Sequence, residues 1–228
     1  MKKIFLTLLA IFMVTSFTIS PSMSAATAEE LPMELSDELI EVTNEHIELK
    51  GNSYKIVDHK ELKDKISKQD LALVKEKLKE TNQYLKTNNK LKKINNDTFI
   101  FEISDEEVQK QAEELGYDFD LNIEADQAYT EGQIGIASAW DYNGYNRMYL
   151  KWWGAEIWLS KTVVGNIAGG TVTAGSIFLG IVIPGIGWAI AIGVTTWIVG
   201  MYGSYNAKPI VAGVQWNSEI RYAYIQTP

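Results

Sequence analysis

The stretch Thr162 to Ala207 reads TVVGNIAGGTVTAGSIFLGIVIPGIGWAIAIGVTTWIVGMYGSYNA, and in its 46 residues there is no Lys, Arg, Asp, Glu or His, although charged residues make up 22% of the chain. At its centre lies Ile183-Pro184-Gly185-Ile186-Gly187. Pro184 has no backbone donor and Gly185 tolerates positive φ, so the pair ends one apolar run and lets the chain reverse before the next. The pattern predicts a single α-helical hairpin over 162–207, turning at Pro184 and Gly185.

The first run, Val163 to Ile183, would be a helix of roughly 31 Å, and the second, Ile186 to Tyr202, one of roughly 26 Å. Both approach bilayer thickness, but helices buried in a water-soluble core are also apolar all round. The small residues favour lipid. Gly165 with Gly169, Thr171 with Gly175, Ser176 with Gly180, Ala189 with Gly193 and Thr196 with Gly200 are spaced four apart, the spacing that lets helices approach closely in a membrane. Gly165, Gly169, Gly175, Gly180, Gly193 and Gly200 are therefore the expected helix-packing positions. In water each interior glycine costs about 1 kcal/mol against alanine, which a glycine-rich soluble core would have to recover by packing.

Towards the N-terminus, Met1-Lys2-Lys3, an apolar run from Ile4 to Ile19 and Ala26-Thr27-Ala28 ahead of Glu29-Glu30 have the order of a secretory signal peptide. Residues 1–28 are expected to be removed and the protein exported. The chain has no cysteine, which excludes a disulfide scaffold, a thiolate metal site and a cysteine nucleophile.

Composition divides the remainder. Residues 29–124 hold 14 Lys and 24 acidic residues, no Trp and two Gly; residues 125–228 balance five bases with five acids and hold all seven Trp and fifteen Gly. The net charge of −8 thus belongs to the first half, which has no basic stripe for nucleic acid. An acidic α+β pro-domain over 29–124 and a Trp/Gly-rich domain over 125–228 are expected. The acid- and turn-rich segment Glu113 to Glu124 joins them, as a processing site or as an ordinary loop.

In the acidic half, His46 to Lys50 and Ser53 to Val57 alternate around Gly51-Asn52, which predicts a β-hairpin. Asp58 with Glu61 suits a helix start. Leu71, Val74, Leu78 and Leu85 mark a long helix after Ser67, and Thr98 to Ile103 has strand composition. Ser104 with Glu107 has capping-box spacing for a helix that stops at Gly116.

In the second half, strands are expected on either side of Gly154-Ala155, then over Pro209 to Gln215 and Ile220 to Gln226, giving a β-rich collar around the hairpin. Trp152, Trp153, Trp158, Tyr202, Tyr205 and Trp216 flank the apolar stretch as rings suited to headgroup level; a sheet core or a sugar-stacking face would use the same residues. The expected class is α+β.

For catalysis the residues offer little. His46 and His59 lie in polar surroundings and are expected to be solvated. Asp141 and Glu156 could pair as the acid and base of a wall-sugar hydrolase, but carboxylates fifteen residues apart are commonly surface residues. There is no phosphate loop, nucleophile elbow or metal-ligand spacing, so no enzyme activity, cofactor or metal is expected.

With a signal peptide, an acidic helical segment and Lys151-Trp-Trp-Gly-Ala-Glu-Ile-Trp-Leu-Ser160 running into the Ile-Pro-Gly-Ile-Gly hairpin, the chain resembles the secreted bacteriocin-like precursor proteins of Bacillus and related Gram-positive bacteria. It lacks the double-glycine leader, the Tyr-Gly-Asn-Gly-Val box and the cysteines of well-studied bacteriocins. The resemblance implies export, release of the C-terminal part and action on a neighbour's membrane. The expected partners are a lipid bilayer and further copies of the chain, not nucleic acid. A membrane- or wall-associated binding protein is the alternative, and a cell-wall hydrolase ranks third.

Overall fold

A six-stranded antiparallel meander organises the chain, each strand bonded to its neighbours in sequence. The computed structural model describes residues 35–94, 98–122, 142–202, 207–217 and 219–227, without the side chains of Ala189 and Tyr202, and all of them belong to the compact unit Glu34–Pro228. The expected signal peptide 1–28, the boundary at 124/125, Asp141 and Tyr205 lie outside the described residues.

The class is α+β. Helix α1 (Asp37–Asn44) starts where Ser36 accepts the Leu39 N–H at 3.1 Å. Strands β1 (Ile47–Lys50) and β2 (Ser53–Ile56) form the expected hairpin, with Gly51 at φ +65° in its turn. Helix α2 (His59–Lys65) is capped by Asp58, and the 20-residue α3 (Lys68–Thr87) by Ser67. The apolar stripe of α3 is buried at Leu71, Val74 and Leu78. Strands β3 (Lys92–Ile94) and β4 (Thr98–Ile103) follow, then α4 (Asp105–Glu114), whose capping box between Ser104 and Glu107 is complete. The second half supplies β5 (Asn146–Lys151), β6 (Gly154–Leu159), β7 (Ile210–Gln215) and β8 (Ile220–Ile225).

The sheet crosses the expected boundary. Strand β4 pairs with β5, from Phe99 opposite Leu150 to Ile103 opposite Asn146, so the acidic half contributes β3 and β4 to the sheet that the second half continues. Polar contacts reinforce the seam. Asp105 accepts hydrogen bonds from Asn143 Nδ2, Asn146 Nδ2 and Ser160 Oγ at 2.6–2.7 Å, and Ser160 caps the helix that follows β6.

The apolar stretch departs from the expected two-helix hairpin. It folds as three helices: α5 (Lys161–Gly169), α6 (Val172–Val182) and α7 (Trp188–Tyr202). The break comes at Gly169-Gly170, after which Thr171 accepts the Ala174 N–H at 3.1 Å and starts a new helix. Gly170 ends α5 in extended backbone, where a Cβ would lie 2.8 Å from the Asn166 carbonyl oxygen, and Thr171 supplies the next cap. None of the helices among the described residues is long and apolar enough to cross a membrane.

These helices cover one face of the sheet. Val163, Val164 and Ile167 of α5, Phe178, Leu179 and Val182 of α6, and Ala191, Val194 and Ile198 of α7 share a core with Met148, Ile157, Leu159, Ile210 and Ala212. A second cluster joins α1, β1, β2 and α3 to Phe99, Leu150, Trp152 and Trp153. Residues on either side of 124/125 enter both cores.

Candidate functional site

The turn of the apolar stretch is held by the acidic half. Pro184 C=O accepts from both the Tyr84 hydroxyl and Asn88 Nδ2 at the end of α3. Gly185 has φ +83°, a backbone conformation that favours glycine, and a Cβ there would stand 3.3 Å from the Tyr84 ring, a tight contact. Tyr84 also lies 5.0 Å, centroid to centroid, from Trp216. Burial raises the Tyr84 pKa well above its ordinary value, which keeps the hydroxyl protonated as a donor.

Of the expected helix-packing glycines, Gly175 marks a close crossing: an added Cβ would lie 2.7 Å from Thr195 Cγ2 on α7 and 3.2 Å from Ile167 Cγ2 on α5. Gly165 is buried within α5 and Gly193 half-buried in α7, while Gly169 is exposed where α5 ends. Gly180 and Gly200 face open space, so they do not serve helix packing here. The first run's division at Gly170 puts its small residues on two helices rather than along one.

The aromatic rings take different places from those of an interfacial collar. Trp152 and Trp153 are buried, and Trp152 Nε1 donates to Asn44 Oδ1 at 2.7 Å. Trp216 is half-buried and donates to Thr81 Oγ1 at 2.8 Å. The indole N–H groups of Trp152 and Trp216 thus each find a partner from the acidic half, which relieves the cost of burying them. Tyr202 ends α7. His46, expected to be solvated, is instead buried, with its Nε2 3.1 Å from Lys65 Nζ; His59 is exposed.

Trp158 lies on the sheet face opposite the helical layer, in an arrangement that sequence reading did not assemble. Its ring stacks on Tyr145 at 5.4 Å and meets Tyr149 edge-on at 6.0 Å, and Arg147 sits 4.0 Å over Tyr145. Glu156 accepts from Trp158 Nε1 at 2.9 Å and from the Tyr222 hydroxyl at 2.8 Å. Tyr222 reaches it across β7 because residue 213 is glycine: a Cβ there would lie 2.5 Å from the Tyr222 ring. Burial, followed by Glu156, raises the Tyr222 pKa. The period-two pattern of β5, β6 and β8 put these rings on one face; the need for glycine at 213 became visible only with the strand order.

Beside this face, under α1, opens a cleft of about 630 Å³ lined by Asp37, Glu41, Lys151, Glu156, Arg221 and Tyr222 among others. Arg221 pairs with Asp37 and lies 4.6 Å over the Trp153 ring. Among the described residues, no three His, Cys, Asp or Glu side chains are grouped so as to hold a metal ion. No protein-family model matches the chain, and comparison with curated proteins and with solved structures gives no match.

Proposed function

We propose that the chain is a secreted, bacteriocin-like membrane-active protein that meets a bilayer with its helical layer, α5 to α7. The outward surface of that layer carries the reading. Trp188 and Met201, at opposite ends of α7, are 55% and 60% exposed, and Val172 at the start of α6 is 42% exposed. Helices that cover a core ordinarily turn charged residues to water, yet there is no Lys, Arg, Asp, Glu or His between Lys161 and Lys208. Large apolar side chains exposed on such a neutral layer suit a contact surface.

Entry of α6 and α7 into lipid buries no charge, whereas one charge at the centre of a membrane helix costs about 2.5–3.5 kcal/mol. The inserted form in this reading is the hairpin of α6 and α7, turning at Pro184 and Gly185 and released from Tyr84. The β-rich segments remain outside as its collar, and inserted copies associate through their small residues. No catalytic step is assigned.

Co-sedimentation with phosphatidylcholine–phosphatidylglycerol vesicles and release of trapped dye test the reading. Trp188→Glu and Met201→Glu change exposed positions and should each weaken vesicle binding about tenfold. Gly193→Arg should abolish dye release if α7 enters the bilayer. A parent chain that neither binds vesicles nor releases dye would defeat the proposal.

A further inference from the structure

We infer that the cleft between α1 and the open sheet face, together with the aromatic strip beside it, is a binding site for an uncharged oligosaccharide. Three features choose that ligand class. The first is the supply of ring faces. Tyr149 on β5, Trp158 on β6 and Tyr222 and Tyr224 on β8 stand on one face of the sheet; Tyr222 and Tyr224 are stacked at 6.2 Å with 19° between planes, and Tyr224 is half exposed. Flat aromatic surfaces bordered by hydrogen-bonding groups suit pyranose rings, whose C–H faces are apolar and whose rims are hydroxyls.

The second feature is charge. The lining carboxylates Asp37, Glu41 and Glu156 face the cations Lys151 and Arg221, and Arg221 is already paired with Asp37. With three acids against two bases, the cleft offers no strong field of either sign, which disfavours a phosphate and a polycation alike.

The third feature is unused bonding capacity held in a fixed geometry. The two oxygens of Glu156 accept one hydrogen bond each, from Trp158 and Tyr222. An ionised carboxylate has about four lone-pair sites, so each oxygen can take a hydroxyl or acetamido N–H as well. The contacts that orient Glu156 come from two rings of the strip, so the carboxylate is positioned before ligand arrives. The volume of about 630 Å³ suits one or two sugar rings, with the strip extending the site along the chain of a longer glycan. This site lies across the sheet from the helical layer and is independent of the membrane reading.

The test uses the full-length chain, with a hexamer of β-1,4-linked N-acetylglucosamine and cellohexaose as soluble probes followed by tryptophan fluorescence. Saturable binding of at least one probe is expected. Tyr224→Ala and Tyr149→Ala should each weaken it about tenfold, with an unchanged melting temperature showing that the fold survives. Glu156→Gln keeps the acceptor oxygen of one arm and should weaken binding less than Glu156→Ala. Failure of both probes to bind overturns the inference, as does binding that both aromatic variants leave intact. Loss of vesicle binding in Tyr224→Ala, with no saccharide bound by the parent, would mark the strip as a lipid contact and overturn it equally.

Discussion

The hydroxyl of Tyr84, in the last turn of α3, donates to the carbonyl of Pro184 at the apex of the apolar stretch, 100 residues away in sequence. The residue that ends one apolar run is thus tied to the acidic half, with Asn88 donating to the same oxygen. In the membrane-active reading this clasp keeps the turn folded against the protein.

Tyr84→Phe with Asn88→Ala removes both donors to Pro184. Each lost hydrogen bond should cost about 1 kcal/mol, and the double variant about 2–3 kcal/mol in urea unfolding because it leaves a half-buried carbonyl unpaired. Vesicle binding should rise as the turn is freed. Reduced stability with unchanged vesicle binding would show that the clasp serves the fold alone.

Glycines at two helical positions should respond oppositely. Gly175→Ala places a methyl 2.7 Å from Thr195 Cγ2, and such overpacking typically costs about 1–3 kcal/mol. Gly200→Ala meets nothing within 4 Å and should stabilise α7 by about 0.5–1 kcal/mol. Chemical denaturation of the two variants checks both signs; equal effects would refute the crossing at Gly175.

Burial raises the pKa values of Tyr54, Tyr84 and Tyr222 in the folded chain. Unfolded tyrosines ionise near pH 10. Because the folded values lie higher, the stability linked to these groups is fully present below about pH 10 and is lost as pH rises above it. Alkaline titration followed by phenolate absorbance should show Tyr54, Tyr84 and Tyr222 ionising above the ordinary phenol range while the chain stays folded. Their titration as ordinary exposed phenols in a chain that stays folded would contradict this burial.

Much of the α+β framework was legible in local patterns. Gly51-Asn52 between alternating residues gave the first hairpin, Ser67 and the Leu71, Val74, Leu78 stripe gave α3, and Ser104 with Glu107 gave α4. Each signal lies within a few residues of what it specifies. The break of the apolar stretch is also written there, since Gly169-Gly170 precedes Thr171, a residue suited to a helix N-cap, although the four-residue spacing of Thr171 and Gly175 equally suits a continuous helix. Uniformly apolar helices give no periodicity by which to notice an interruption.

The candidate sites were less legible because they depend on strand order and on partners far away in sequence. Nothing near Tyr84 announces Pro184, and Gly213 has meaning only once β8 lies beside β7 and Glu156 beyond it. The buried places of Trp152 and Trp153 likewise follow from α1, a short helix that the sequence reading did not anticipate.

The pairing of β4 with β5 changes what a protease could accomplish. A cut within the expected processing segment Glu113 to Glu124 would sever the peptide chain yet leave the five-residue ladder between Phe99 and Ile103 and its partners Asn146 to Leu150 closed. The two pieces would stay associated as a nicked protein, much as separately made fragments reassemble into a whole. Pulling them apart would bare a long unpaired edge on β5, an adhesive surface in water. Scission alone is therefore insufficient for release, and any liberation of the C-terminal part requires a second event that unzips one strand from its neighbour.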